Sequence, residues 1–166
     1  MESHQLEKAI HFDPCLSTLR HTAILAADEL SLVETPGAYI VNTDPRNLPG
    51  QHWIALYVSA NGTIEVFDPL GYHPRRYLFL ENYLRGRRFT YNGKRWQQRG
   101  TSTCGQHCLF YLYHICRGWT LSQLNHFYWN SDLNRNERLV VRFVGHYFCI
   151  PCSCKWKKYQ CSRLCD

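Results

Sequence analysis

The sequence predicts an α+β fold in which a central mixed or antiparallel sheet packs against a helix that starts at Cys104. Two strand-like runs, residues 52–59 and 63–67, flank Asn61-Gly62, a dipeptide typical of a tight hairpin turn. An apolar run over residues 105–117 is typical of a helix, and a glycine follows it directly. Together these patterns favour a sheet covered by one long helix.

The other predicted elements are short and are separated by turn signals. We expect a helix over residues 16–25, a short turn over 26–30 and a strand over 38–42, with breaks at Asp13-Pro14 and Pro36-Gly37. Beyond the hairpin we expect a helix over 77–84, a short strand within 89–96, a helix over 120–127 capped by Thr120, and a helix over 139–148.

A chain of 166 residues suits one domain with its own core. We expect residues 1–148 to form this domain and residues 149–166 to form a basic tail. No stretch reaches the roughly 18 apolar residues of a membrane span, and the first residues lack a signal-peptide pattern. We therefore expect an intracellular protein without a membrane partner. Thiols stay reduced there, so Cys108 and Cys116 are interpreted as ordinary core residues.

The tail holds five of the nine cysteines together with four Lys or Arg residues. The favoured interpretation is a basic segment with incidental cysteines. The alternative is a zinc site, because paired cysteines at short spacing are typical zinc ligands. Its candidate ligands are Cys149, Cys152, Cys161 and Cys165, with His146 nearby.

The net charge of +6 is unevenly distributed. Residues 1–70 hold three Lys or Arg against nine Asp or Glu, whereas residues 71–166 hold sixteen against four. The stretch 75–99 carries eight basic residues and one acid among several aromatic residues. Such a stretch either binds a phosphate backbone or forms a solvated face. The candidate DNA contacts are Arg75, Arg76, Arg85, Arg87 and Arg88.

Cys104 stands at the predicted start of a helix, where unpaired N–H groups favour a thiolate. Alone, it would be interpreted as a buried structural cysteine. The predicted hairpin, however, places His52 and Asp68 roughly opposite each other at its open end. A thiolate, an imidazole base and a carboxylate that orients the base are the groups of thiol catalysis. The Cys104 N–H and an amide of Gln97 or Gln98 could bind the oxyanion.

The segments PGQHWIALYV, IEVFDPLGYHP and QQRGTSTCGQHCLFYL resemble the adenovirus endopeptidase (adenain) family of cysteine proteases. The likeness is greatest to the adenain-like proteases of Polinton (Maverick) elements and adintoviruses, extends to SDLNRNERLVVRFV and covers about residues 24–146. It implies an adenain/Ulp-like, papain-like cysteine protease fold. It also implies that Cys104 is the nucleophile, His52 the general base and Asp68 the residue that orients the base.

The resemblance also bears on the oxyanion donor and the substrate contacts. Adenain-like spacing, seven residues before the cysteine with Ser or Thr three before it, selects Gln97 and Thr101. The six-residue spacing of the related ubiquitin-like-protein proteases would select Gln98 instead, and we prefer Gln97. Trp53 resembles the aromatic residue beside the family's catalytic histidine. Gly100 and Thr101 belong to a compact loop that could admit a small substrate residue.

The function implied by this resemblance is a cysteine endopeptidase that cleaves viral or element-encoded capsid precursors at Gly-containing sites during virion maturation, in the host nucleus and the virion. One alternative is an isopeptidase that removes ubiquitin-like proteins, since those enzymes share the His-Asp-Gln-Cys order. A second alternative is a nucleic-acid-binding protein with a vestigial protease site. We expect the chemistry to need no cofactor. DNA and an activating peptide, both used by adenovirus enzymes, stay open as partners.

Overall fold

The computed structural model describes residues 1–148, which form a five-stranded mixed sheet with helices on both faces. The spatial order is β1-β2-β3-β4-β5, with parallel pairing at both edges and antiparallel pairing in the centre. The strands are β1 (His21–Leu25), β2 (Gly37–Asn42), β3 (Trp53–Val58), β4 (Ile64–Phe67) and β5 (Phe89–Tyr91). The predicted α+β class, with a mixed sheet against the Cys104 helix, is confirmed.

The longest buried helix, α4, crosses one face of this sheet against β3. The helices are α1 (Ser3–Phe12), α2 (Pro14–Ser17), α3 (Leu78–Leu84), α4 (Cys104–Cys116), α5 (Leu121–Phe127) and α6 (Leu133–Tyr147), with 3-10 turns at Ala27–Leu32 and Pro74–Arg76. Helices α1, α2, α5 and α6 pack around α4, which is why its sequence is apolar on nearly every side. Among the described residues, no helix has the length and apolar character that crossing a membrane requires.

Two apolar cores lie on opposite faces of the sheet, as the alternation of side chains along a strand requires. In β2, Ala38 and Ile40 pack toward α4, whereas Tyr39 and Val41 pack toward α3 and the turn Ala27–Leu32. Because the sheet is covered on both faces, the ends of its strands are the places where polar side chains can gather.

The predicted hairpin between β3 and β4 is present. Gly62 adopts φ 79°, which favours glycine, and its N–H donates to the Ser59 carbonyl at 2.8 Å. The Asn61 side chain accepts from the Thr63 N–H at 3.0 Å and closes the turn. This turn fixes the register of the two strands.

That register differs from the predicted one. Ala55 pairs with Phe67, so the extended ladder places Asp68 opposite Ile54 rather than opposite His52. His52 and Asp68 are therefore diagonal neighbours on one face, since residues two apart on a strand point the same way. The difference arises because the turn is centred on residue 61, slightly further along than expected.

The predicted helix over residues 16–25 is wrong. Asp13 caps the short helix α2 by accepting from the Leu16 N–H at 2.8 Å, and the chain then turns and forms β1. Strand β1 pairs in parallel with β2, whose sequence lies well downstream. The periodicity of five residues cannot reveal such a distant partner. Helix α6 also begins earlier than predicted, because Asp132 accepts from the Asn134 N–H and caps it.

Cys116 is not an ordinary core thiol, because it forms a disulfide with Cys15 that joins α2 to the end of α4. The prediction for Cys108 holds, since its free thiol is completely buried. The candidate zinc ligands Cys149, Cys152, Cys161 and Cys165 lie outside the described residues, as does the proposed tail. Among the described residues, no group of three or more His, Cys, Asp or Glu side chains could hold a metal ion.

Candidate active site

Cys104 is the first residue of α4, at the end of the sheet where β3 begins and β4 ends. Its side chain is a free thiol in a residue that is only 7% exposed. The unpaired N–H groups of the first helical turn give this position a partial positive charge, which stabilises a thiolate. The fold therefore places a cysteine where its anionic form is favoured.

His52 and Asp68 lie just outside the ends of β3 and β4, respectively. The His52 Nε2–H donates to Asp68 Oδ1 over 2.8 Å, which leaves Nδ1 as the nitrogen that can face the Cys104 thiol. The imidazole is assigned as the donor because a carboxylate has no hydrogen to donate. The structure thus brings together the three residues that the sequence predicted as a catalytic group.

Asp68 is held by contacts on every side and is only 1% exposed. Its Oδ1 also accepts from the Leu70 N–H at 2.8 Å, and its Oδ2 accepts from the Tyr77 hydroxyl at 2.7 Å. The Asn92 side chain accepts from the Asp68 N–H at 2.9 Å and donates to its carbonyl at 2.7 Å. These bonds orient the carboxylate toward the imidazole and compensate for its burial.

The pKa values of His52 and Cys104 are shifted in opposite directions. Burial raises the pKa of the Cys104 thiol, but hydrogen bonds with His52 and with the Trp53 N–H, and the charge of the imidazolium, outweigh burial and lower it. Burial lowers the pKa of His52, whereas hydrogen bonds with Asp68 and Cys104, and their charges, raise it to about 9. At neutral pH both shifts favour a thiolate–imidazolium pair.

The two candidate oxyanion glutamines differ in their surroundings. Gln97 is buried, its N–H donates to the Pro69 carbonyl, and its side-chain Nε2 donates to the Thr101 carbonyl at 2.8 Å. The same Nε2 also donates to the Thr101 hydroxyl oxygen at 3.2 Å, so both of its contacts are to Thr101. Gln98 is half-buried, and its main chain rather than its side chain makes the contacts.

The predicted substrate contacts lie in the loop before α4 and at the start of β3. Gly100 is exposed with φ 77°, and Thr101 donates its hydroxyl to the Gln98 carbonyl at 2.9 Å, so these residues form a tight loop before α4. Trp53 is half-buried, and its indole N–H donates to the Met1 carbonyl at 3.2 Å. Trp53 is thus tied to the N-terminal segment as well as to the thiol.

The five candidate DNA contacts flank α3 on either side, and all of them are exposed. None forms an ion pair with another residue of the described part of the chain. Two arginines lie over aromatic rings, Arg76 at 4.4 Å from the Tyr72 centroid and Arg87 at 4.6 Å from that of Tyr83. Their positive charge is therefore open to solvent.

Sequence reasoning missed several residues that build this site. No sequence signal links Tyr77 or Asn92 to Asp68, because each of them reaches the carboxylate or its main chain from outside β4. No sequence signal placed Met1 beside the site, where a Cβ at Gly105 would lie 3.2 Å from the Met1 Cβ. Glu137, on α6, contacts the loop before Cys104 from a position far along the chain.

Comparisons with known proteins give limited similarity. No protein-family model and no curated protein matches the chain. Two crystal structures of the ASFV pS273R protease, one of them with Se-Met, are similar over 61% of this chain at 21% identity, with TM-scores of 0.40 and 0.41. The similar region spans about two fifths of that protease, 42% and 41% of its length in the two structures. The closer resemblance to adenain-like proteases stays a prediction.

Proposed function

We propose that this protein is a cysteine endopeptidase with Cys104 as nucleophile, His52 as general acid and base, and Asp68 as the residue that orients His52. The observation that carries the proposal is the hydrogen bond between His52 and Asp68 beside a free thiol at the first position of α4, whose pKa His52 lowers. Asp68 raises the pKa of His52, and His52 lowers the pKa of Cys104, as nucleophilic catalysis needs.

In the proposed reaction the Cys104 thiolate attacks the carbonyl carbon of the scissile peptide bond and forms a tetrahedral intermediate. The Cys104 N–H and the Gln97 amide donate to its oxyanion. The His52 imidazolium then protonates the leaving amine, and the C–N bond breaks to give a thioester. Water, deprotonated by the now neutral His52, attacks the thioester carbonyl and releases the acid and the Cys104 thiolate, with the proton kept on His52.

The substrate class is proposed from the sequence resemblance. Viral or element-encoded capsid precursors, cut at Gly-containing sites during virion maturation in the host nucleus and virion, are the proposed substrates. The exposed loop at Gly100 and the contact between Trp53 and the N-terminal segment are compatible with an extended peptide bound beside the thiol. Removal of a ubiquitin-like protein is the competing reaction.

Cleavage assays test the proposal directly. Wild-type protein should cleave a Gly-containing peptide from a capsid precursor, and Cys104→Ala should lose about 10⁴-fold or more of kcat/KM. Cys108→Ala is the matched control, because it removes a buried thiol from the same helix without touching His52. Equal cleavage by wild type and Cys104→Ala would contradict the proposal. Cleavage of a ubiquitin-like fusion in place of the peptide would favour the isopeptidase.

We also propose that the exposed arginines around α3 bind the phosphate backbone of DNA. Their exposure and their lack of acidic partners among the described residues support this second proposal. The inactive Cys104→Ala protein should bind duplex DNA with an affinity that falls steeply as salt rises. Arg87→Glu with Arg88→Glu should weaken binding about tenfold or more. The exposed pair Lys8→Glu with Arg20→Glu changes the net charge by the same amount and serves as the control. Binding that is indifferent to the Arg87 and Arg88 changes would contradict it.

A further inference from the structure

The carboxylate of Glu137, on α6, lies at the base of the loop that leads into α4. The Gln98 N–H donates to its Oε2 at 3.2 Å, and the Thr103 hydroxyl donates to its Oε1. His107, on α4, contributes Nε2 at 3.3 Å from the same Oε2. One carboxylate therefore binds both ends of the loop formed by residues 98–103 and the helix that follows.

The loop that Glu137 holds separates the two proposed oxyanion donors. The Gln97 amide precedes it, and the Cys104 N–H follows it directly. Within the loop, Thr101 accepts from the Gln97 amide and donates to the Gln98 carbonyl at 2.9 Å. A shift of either end would move a donor relative to the thiol, and misplacement of catalytic groups by about 1 Å can cost about 10²-fold in rate.

We propose that Glu137 is a positioning residue that fixes the loop of residues 98–103 and so holds the two oxyanion donors in place for acyl transfer. This inference rests on the proposed endopeptidase function and deepens it, because it assigns the geometry of the oxyanion site to a residue of α6. The contacts of Glu137 are to the loop and to His107 on α4, so it acts through these elements rather than on the thiol directly.

The charge state of Glu137 agrees with this role. Burial raises its pKa, but hydrogen bonds with His107 and Thr103 and the charge of His107 outweigh burial and lower it. The carboxylate is therefore ionised at neutral pH and accepts from all three donors. Its side chain is only 12% exposed, so water cannot readily replace these bonds.

Two reactions of Cys104 separate a role in the loop from a role in the whole fold. Peptide hydrolysis passes through an oxyanion, whereas alkylation by iodoacetamide is a displacement at carbon and forms none. Glu137→Ala should lower kcat for a Gly-containing peptide by about tenfold to 100-fold with little change in KM. The alkylation rate of Cys104 and its pH dependence should stay within about twofold of wild type.

Conservative variants sharpen the test. In Glu137→Gln the amide oxygen can still accept from the Gln98 N–H, and the Thr103 hydroxyl can turn to accept from the new NH₂ group, so most of the activity lost in Glu137→Ala should return. Thr103→Val leaves the Glu137 carboxylate intact but removes one of its donors. Its kcat should lie between those of wild type and Glu137→Ala. Arg138→Ala, an exposed neighbour on α6, is the matched control.

The outcomes are distinguishable. No cleavage by wild-type protein would overturn the proposed function and this inference with it. Wild-type cleavage matched within twofold by Glu137→Ala would overturn this inference alone. A parallel loss of cleavage and alkylation in Glu137→Ala and Thr103→Val would also overturn it, because both residues would then support the fold rather than the oxyanion loop.

Discussion

The first and second turns of α4 each carry a buried cysteine, and the two thiols have opposite properties. Cys104 has a lowered pKa, whereas burial and the charges of Cys104 and Asp68 raise the pKa of Cys108 well above its ordinary value. Both thiols contact the main chain of Trp53. Its N–H donates to Cys104, while its carbonyl accepts from the Cys108 thiol at 3.4 Å.

Burial raises the pKa of both thiols, so the opposite directions of the two shifts come from their partners. A donor such as the Trp53 N–H stabilises a thiolate, whereas an acceptor such as its carbonyl stabilises the protonated thiol. Of the two thiols, only that of Cys104 also interacts with His52. The end of β3 therefore favours a thiolate at one cysteine and a protonated thiol at the other, although they lie one turn apart.

Removing His52 should make Cys104 behave like Cys108. In His52→Ala the thiol keeps its burial but loses the imidazole, so its pKa should rise. Cleavage should fall by about 10³-fold or more and alkylation at neutral pH by about tenfold to 100-fold. Peptide cleavage and mass-spectrometric mapping of the alkylated residue measure both effects. As a control, replacement of the exposed His126 of α5 by alanine should change neither cleavage nor alkylation. An unchanged alkylation rate of Cys104 in His52→Ala would contradict the proposed pairing of Cys104 with His52.

Weakening the orientation of His52 should have a smaller effect. Asp68→Asn keeps the shape of the side chain but removes the charge that helps to raise the pKa of His52 to about 9. We expect kcat/KM to fall about 10²-fold to 10³-fold. The alkaline limb of the pH profile of kcat/KM marks the loss of the proton from the imidazolium. This limb should move from near pH 9 toward about pH 6.5. An alkaline limb that stays near pH 9 in Asp68→Asn would argue against this electrostatic account. Asp28→Asn is the control.

Tyr77→Phe removes one hydrogen bond to Asp68 Oδ2 and leaves the other partners in place. We expect a loss of about threefold to tenfold in kcat/KM and of about 1 kcal/mol in the free energy of unfolding. Steady-state kinetics and urea unfolding measure these changes. Tyr83→Phe, on the adjacent helix α3, is the control. A larger loss than that of Asp68→Asn would reverse the proposed order of importance.

Replacing the second thiol should have the smallest effect on catalysis. Cys108→Ala should keep kcat/KM within about threefold of wild type while lowering the free energy of unfolding by about 1–2 kcal/mol, because it leaves a small cavity under β3. Kinetics and thermal unfolding on the same preparation separate the two effects. Loss of cleavage without loss of stability would show that Cys108 takes part in the reaction.

The sequence could predict the parts of this molecule that are defined locally. The Asn61-Gly62 turn and the apolar run of α4 were sufficient to locate the hairpin and the central helix, and the hairpin brought His52 and Asp68 to one end of the sheet. Cys104 was joined to them by the chemistry of thiol catalysis and by the family resemblance. Strand β1 was mistaken for a helix because its partner, β2, lies beyond a long connection. Single residues such as Thr22 and Ile24 could not indicate parallel pairing.

Contacts between distant segments account for the other omissions. Glu137 reaches Gln98 across 39 positions, and Asn92 reaches Asp68 across 24. The sequence around Glu137 and around Asn92 contains no pattern that predicts these partners. The disulfide between Cys15 and Cys116 spans 101 positions and has the same explanation. Side chains that support a site from another element become visible only in the folded molecule.

The pH dependence of alkylation at Cys104 tests the central claim most directly. Iodoacetamide rate constants, resolved residue by residue with mass spectrometry, should give Cys104 a midpoint clearly below the value of about 8.5 typical of a free cysteine. The midpoint should rise by about one unit or more in His52→Ala, while Cys108 stays unreactive in both proteins. A Cys104 midpoint equal to that of a free cysteine, and unchanged by His52→Ala, would contradict the account.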